Sequence, residues 1–186
     1  MAGYSRPDDL SEHHSLTDFT CGEESIDSWV QGRVRANQAL GFSRTFVTTE
    51  PDSDLVVGLY CLSSVSVPRQ SVGKPERGSD PPRDLPAVLL GKLAVVSHLQ
   101  DSGIGLGTDL MRDAIVRTLT VSLSVVVRLM VVDALNERLT GWYERFGFTS
   151  LKQTDWSPTT NGPGPVRRAT NISTLLPRWS GWTAGR

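Results

Sequence analysis

The stretch PAVLLGKLAVVSHLQDSGIGLGTDLMRDAIVRTL, residues 86–119, constrains the fold more than any other part of the chain. It opens with PAVLLGKLAVV, apolar almost throughout, which reads as a central strand covered on both faces. Glycines at 103, 105 and 107 then break the pattern. A helix follows near 105–119, with Leu106, Leu110 and Ala114 on one face and Met111, Ile115 and Leu119 beside them. SVVVRLMVVDA, residues 124–134, is a second buried strand. Strand, glycine loop, helix and strand in that order predict an α/β protein with a mixed central sheet flanked by helices.

The glycine loop invites a phosphate reading, and three motifs compete for it. A GxxxxGK[ST] loop fails, because Gly91-Lys92 is followed by Leu93 and position 86 is proline. A GxGxxG fingerprint from Gly103 would need glycine at 108, where Thr108 stands. Gln-x-x-Gly-x-Gly is met by Gln100, Gly103 and Gly105. A helix N-terminus leaves backbone N–H groups without partners and carries partial positive charge. Glycines let such a backbone approach a diphosphate closely. The same residues also suit a plain strand-to-helix turn.

The rest of the chain reads as one domain over residues 1–186, with its core at about 10–176 and a loose tail at 177–186. Thr20-Cys21-Gly22-Glu23 has the form of a capping box. It opens a helix over residues 23–39 with the stripe Ile26, Trp29, Val30 and Val34. SRTFVTTE and LVVGLYCLSSVSV form a hairpin across the turn EPDSD. Residues 68–86 hold Pro75, Pro81, Pro82 and Pro86 and read as a long loop. NERLTGWYERFG is a helix with the stripe Leu135, Leu139, Trp142 and Phe146, ended by Gly147 as a C′ glycine. Phe148 enters a further strand, SPTTNGPGPV is a loop, and RRATNISTLL is a last strand.

Composition excludes some classes. Lys and Arg total 19 against 20 Asp and Glu, a net charge of −1, so any nucleic-acid contact must rest on a local basic patch. Cys21 and Cys61 form no CxxC pair, and with His13, His14 and His98 they offer no metal-ligand spacing. The first residues have no apolar signal core, so a cytoplasmic chain with reduced thiols is expected. VSLSVVVRLMVV is too short for a membrane span and is interrupted by Arg128.

A second constellation sharpens the glycine loop. ALNERLTGWYERFGF places Asn136 seven residues before Tyr143, with Gly147-Phe148 ending the helix. Here the chain resembles the GNAT acetyltransferases, whose acyl donor is acetyl-CoA. FTCGEESIDSWVQGRVRANQALGFSRTFV, VVGLYCLSSVSV, LLGKLAVV and WYERFGF, in that order, resemble the family's toxin branch. Those proteins belong to type II toxin–antitoxin pairs and acetylate the amino group of aminoacyl-tRNA. The similarity spans roughly residues 10–150 and, more loosely, the last strand.

The resemblance implies a GNAT fold and assigns roles. The loop Gln100, Asp101, Ser102, Gly103, Ile104 and Gly105 would hold the pyrophosphate. Leu93, Ala94 and Val95 would hydrogen-bond the pantetheine arm, and Asn136 would join the cofactor site. Tyr143 would be the general acid, with a phenol that keeps its proton at neutral pH. It lies one residue off the apolar stripe, so its hydroxyl is expected to face a cleft. No general base is evident, which suits an α-amine acceptor better than a lysine. Arg33, Arg35 and Arg44 are the expected substrate contacts, with Tyr60 on the substrate-side strand. Arg69, Lys74, Arg77 and Arg83 add charge in the long loop, offset by Glu76, Asp80 and Asp84.

The expected partners are aminoacyl-tRNA and a small DNA-binding antitoxin of ribbon–helix–helix type; a homodimer is compatible with the resemblance, and neither a metal nor a membrane is expected. The sequence departs from the family at Asp101 and Ser102, where QGRGxG places a glycine and a basic or polar residue. Ser97 and His98 also thin an arginine-rich approach. These changes predict weaker acetyl-CoA binding. Two other readings stay open on sequence: a GNAT enzyme for a small-molecule amine or protein lysine, and a degenerate GNAT that acts through its antitoxin.

Overall fold

The computed structural model describes residues 3–74, 79–152, 166–172, 174 and 175. In chain order the elements are β1 (Asp8–Asp9), α1 (Glu24–Gly32), α2 (Val34–Ala39), β2 (Arg44–Thr49), β3 (Val56–Pro68), β4 (Asp84–Val95), α3 (Leu106–Ser122), β5 (Leu129–Ala134), α4 (Glu137–Glu144), β6 (Thr149–Ser150) and β7 (Val166–Asn171). Short 3-10 turns stand at Arg69–Ser71 and Ser97–Leu99. The strands form one seven-stranded sheet in the order β1-β2-β3-β4-β5-β7-β6. β4 and β5 run parallel, while β1–β2, β2–β3, β5–β7 and β6–β7 are antiparallel. Parallel neighbours need a crossover, and α3 supplies it. The mixed α/β sheet is the architecture that the strand–loop–helix–strand order implied.

Contacts divide the chain into two compact units. One comprises Met1–Ser63 and Gly91–Ala114, the other Ser64–Leu90 and Ile115–Arg186.

In the first unit, β2 and β3 pair with Phe46 opposite Tyr60, and the two rings stack with centroids 5.1 Å apart. Gly58 makes room for α3: a Cβ there would lie 2.9 Å from Leu110 Cδ1 and 3.0 Å from Thr48 Cγ2. Leu106, Leu110, Met111 and Ala114, the expected face of α3, are all buried. Two expectations fail at α1. Thr20 does not cap the helix; Asp27 gathers its start instead, accepting from Thr20 Oγ1 at 3.0 Å, Cys21 N–H at 2.8 Å and Gly22 N–H at 3.2 Å. A carboxylate within the first turn can satisfy several donors at once, which one hydroxyl cannot. The single helix over 23–39 is two, broken at Arg33 with φ −133° after Gly32, a weak helix former.

In the second unit, Val67, Val72, Leu85, Ala87, Leu129, Val131 and Ala169 form the apolar core. β4 is central in the sheet but not apolar-covered along its whole length: Leu85 and Ala87 are buried while Asp84 and Pro86 are exposed, the alternation of a strand with one wet face. β5 starts only at Leu129, and Val125 and Val126 are exposed. The long loop is shorter than expected, because β3 runs to Pro68 and Arg69 N–H donates to the Arg83 carbonyl at 2.9 Å. β7 ends at Asn171, where Thr174 Oγ1 donates to the Asn171 carbonyl at 2.7 Å and the chain turns helical. Pro75, Glu76, Arg77, residues 157–165 of the expected loop before β7, and the tail at 177–186 lie outside the described residues.

Candidate active site

The loop after β4 is shaped before any ligand arrives. Gln100 Nε2 donates to the Cys21 carbonyl at 2.8 Å and to the Val95 carbonyl at 2.7 Å, pinning the loop to the start of α1 and the end of β4. Ser102 Oγ donates to the Leu99 carbonyl at 2.7 Å. Gly103 and Gly105 take φ of +78° and +80°, which glycine adopts without penalty, and a Cβ at either would meet nothing within 4 Å. Asp101 also sits at φ +52° with its side chain exposed. Backbone conformation explains why a glycine suits this position.

Gly105 caps α3: its carbonyl accepts from Thr108 N–H at 2.9 Å and Asp109 N–H at 3.1 Å. Among the described residues, the N–H groups of Ser102, Gly103, Gly105, Leu106 and Gly107 donate to nothing. Unpaired donors at the positive end of a 17-residue helix, under open space, form a cradle for an anion. The residues therefore fit a diphosphate. Gln100 serves by holding the loop; its amide protons are already committed.

Leu93, Ala94 and Val95 are the last residues of β4. The parallel ladder with β5 covers Ala87–Leu90 and ends there, so these three lie past it. Their extended backbone suits an arm that binds as an added strand.

Asn136 and Tyr143 belong to α4 of the other unit. Asn136 is its N-cap, with Oδ1 accepting from Leu139 N–H at 3.0 Å. The expected stripe holds at Phe146 and, half-buried, at Leu139 and Trp142, but it loses Leu135 and gains Tyr143. Leu135 precedes the cap and is 42% exposed, whereas Tyr143 is 6% and Phe146 7% exposed. The Tyr143 ring packs edge-on against Trp142 at 4.9 Å and Phe148 at 5.9 Å. Tyr143 is thus a core aromatic rather than a residue at the core's edge. Burial pushes its phenol up to about 12, and the Asp133 carboxylate pushes the same way. No hydrogen bond to a described residue holds its hydroxyl. Asp133 is gripped by Arg167, at 2.5 Å and 2.8 Å.

The turn after Tyr143 is locked by a residue that the sequence did not single out. Arg168, 3% exposed, donates to Glu144 Oε1 at 2.7 Å, Ser150 Oγ at 3.0 Å and the Phe148 carbonyl at 3.2 Å. Gly147 follows with φ +94°, the expected C′ glycine.

The expected substrate contacts separate. Arg35 clamps the chain before α1, donating to the Ser11 carbonyl at 2.8 Å and the His14 carbonyl at 2.5 Å. Arg44 pairs with Asp9 at 2.9 Å. Tyr60 is fully buried and its hydroxyl donates to Asp113, so it serves the core and not a surface contact. Arg33 stands at the α1–α2 break, on the rim of a cavity of about 320 Å³ lined also by His14, Leu16 and Val34. Sequence spacing gave no signal for Tyr4, whose hydroxyl donates to Asp109 Oδ2 at 2.6 Å across 105 positions. Burial and the Asp109 hydrogen bond push the Tyr4 phenol up to about 12.

No family model matches the chain. Among curated proteins it is 38% identical over 149 residues to a tRNA-acetylating toxin of Mycobacterium tuberculosis, covering 80% of this chain and 86% of that protein. The chain belongs to the GNAT acetyltransferase toxins. Solved members share the fold. AtaT complexed with acetyl-methionyl-tRNAfMet matches with a TM-score of 0.79 at 22% identity, covering 95% of this chain and 99% of that one. A tyrosine-to-phenylalanine mutant of AtaT, bound to the C-terminus of the antitoxin AtaR and acetyl-CoA, matches with a TM-score of 0.72 at 20% identity, covering 96% and 99%.

Proposed function

We propose that this chain is an acetyl-CoA-dependent N-acetyltransferase toxin that acetylates the amino group of aminoacyl-tRNA and blocks translation. The carrying observation is its 38% identity, across most of both chains, to a tRNA-acetylating toxin. When bound, acetyl-CoA supplies an activated acetyl thioester. Ser102, Gly103, Gly105, Leu106 and Gly107 would bind its diphosphate through their unpaired backbone N–H groups, in a loop held by Gln100. Leu93, Ala94 and Val95 offer strand edge to the pantetheine arm. Tyr143 keeps its proton at neutral pH and gives it from Oη to the departing sulfur. Asn136 acts by starting α4, and Arg168 by fixing its end. Of Arg33, Arg35 and Arg44, Arg33 is the one whose side chain makes no bond to a described residue, and it is the first choice for a phosphate. Arg44 is exposed beside it in rank, paired only at the surface.

The reading extends to one catalytic domain over residues 1–186, a cytoplasmic site of action, and a small DNA-binding antitoxin as partner. No helix among the described residues is long and apolar enough to cross a membrane. The test is transfer of labelled acetyl from acetyl-CoA to total charged tRNA. Label on aminoacyl-tRNA is expected; strong labelling of a small amine with none on tRNA would overturn the acceptor. Tyr143→Phe should lower turnover by about a hundred-fold or more and abolish growth arrest, with an unchanged circular dichroism spectrum. Retained toxicity would remove Tyr143 from the mechanism.

A further inference from the structure

The segment before β1 reaches the anion cradle from outside it. Ser5 fastens this segment to β2: its N–H donates to the Thr49 carbonyl at 2.9 Å, its Oγ accepts from Thr49 N–H at 2.9 Å, and its carbonyl accepts from Thr48 Oγ1. With Ser5 fixed, the two preceding residues fall on the cradle. Tyr4 Oη donates to Asp109 Oδ2 at 2.6 Å, while Arg112 Nη1 donates to Asp109 Oδ1 at 3.1 Å. Gly3 lies against Ile104, the residue between the two positive-φ glycines: a Cβ on Gly3 would come 3.3 Å from Ile104 Cδ1.

Asp109 stands where its charge has consequences. A carboxylate in the first turn of a helix is favoured by the helix's partial positive charge. An incoming diphosphate uses the same field, and like charges repel. Donors on both carboxylate oxygens hold that charge in place and reduce its reach. The two contacts, at Ile104 and at Asp109, bracket the unpaired N–H groups of Gly105, Leu106 and Gly107.

We propose that Tyr4 is a positioning residue for the acyl donor: by restraining Asp109 and bringing Gly3 onto Ile104, it sets the affinity of the cradle for the diphosphate of coenzyme A. This rests on the acetyl-CoA reading above. It concerns residues that make no contact with the reacting atoms.

Calorimetry with coenzyme A on the full chain, Tyr4→Phe, Asp109→Asn and the double variant tests it. Tyr4→Phe should weaken binding about five-fold, the equivalent of one ordinary hydrogen bond, and raise KM for acetyl-CoA in parallel with kcat retained. With Asp109→Asn already present, Tyr4→Phe should have no further effect. Unchanged affinity in Tyr4→Phe, or the same weakening in both backgrounds, would overturn the proposal. Hydrogen exchange of the ligand-free protein gives a second readout, at the Thr108 and Asp109 amides that bond the Gly105 carbonyl. Faster exchange in Tyr4→Phe supports the proposal and unchanged exchange overturns it. If the unsubstituted chain fails to bind coenzyme A at millimolar concentration, the acetyl-CoA reading fails, and exchange alone decides the role of Tyr4.

Discussion

Asp101 shows how one side chain can carry two costs. At φ +52° a residue with a Cβ is strained, although aspartate tolerates this region better than most. Its carboxylate also adds negative charge beside a cradle for anions. Asp101→Gly removes both, so it should stabilise the fold by about 0.5–1 kcal/mol and tighten coenzyme A binding by up to about five-fold. Urea midpoints and calorimetry check the two effects separately; unchanged affinity would mean that the carboxylate never faces the phosphates. In sequence, Asp101 is legible as a departure from the family pattern through its charge alone. The strain was invisible because φ is set by the loop's tether, the Gln100 amide bonds to Cys21 and Val95. Tyr60 teaches the converse: its place on a strand was legible, yet only packing shows that the side chain points inward to Phe46 and Asp113.

At the scale of elements, periodicity located β2, β3, β4, α3 and β5, because each buries a face in register with its own period. It misplaced what depends on caps. α4 begins at Asn136, so its inward face runs through Tyr143 and Phe146 and leaves Leu135 outside. The start of α1 is held by an aspartate within its own first turn, not by the threonine upstream. Asn136 lets the capping role be separated from a ligand role. Asn136→Ser keeps a good cap and deletes the amide N–H2, whereas Asn136→Ala should cost about 1 kcal/mol of stability. If capping is the whole role, the serine variant retains both melting temperature and KM for acetyl-CoA. A raised KM with full stability would instead place the amide against the ligand.

For the whole molecule, titration links site and stability. The Tyr4 and Tyr143 phenols are both pushed up to about 12, chiefly by burial, against about 10 in an unfolded chain. The unfolded chain therefore loses these protons first as pH rises. Their contribution to stability is fully present below pH 10 and is lost as pH climbs through 12. Urea midpoints should fall between pH 10 and pH 11, with a shallower fall in Tyr143→Phe; a flat profile in both would contradict the burial of these hydroxyls. The net charge of −1 gives no general attraction to tRNA, so acetylation of tRNA should be sharply weakened by salt only through the few local arginines. Cys21 joins distant parts of this economy of contacts. Its N–H is taken by the Asp27 carboxylate and its carbonyl by the Gln100 amide. The head of the first helix and the anion loop are thereby one mechanical piece. A genetic screen for cells that survive expression of this chain would collect escape mutations at Asp27 as well as at Tyr143, and the former would mark heritable resistance gained by loosening the anion loop rather than by removing a reacting group.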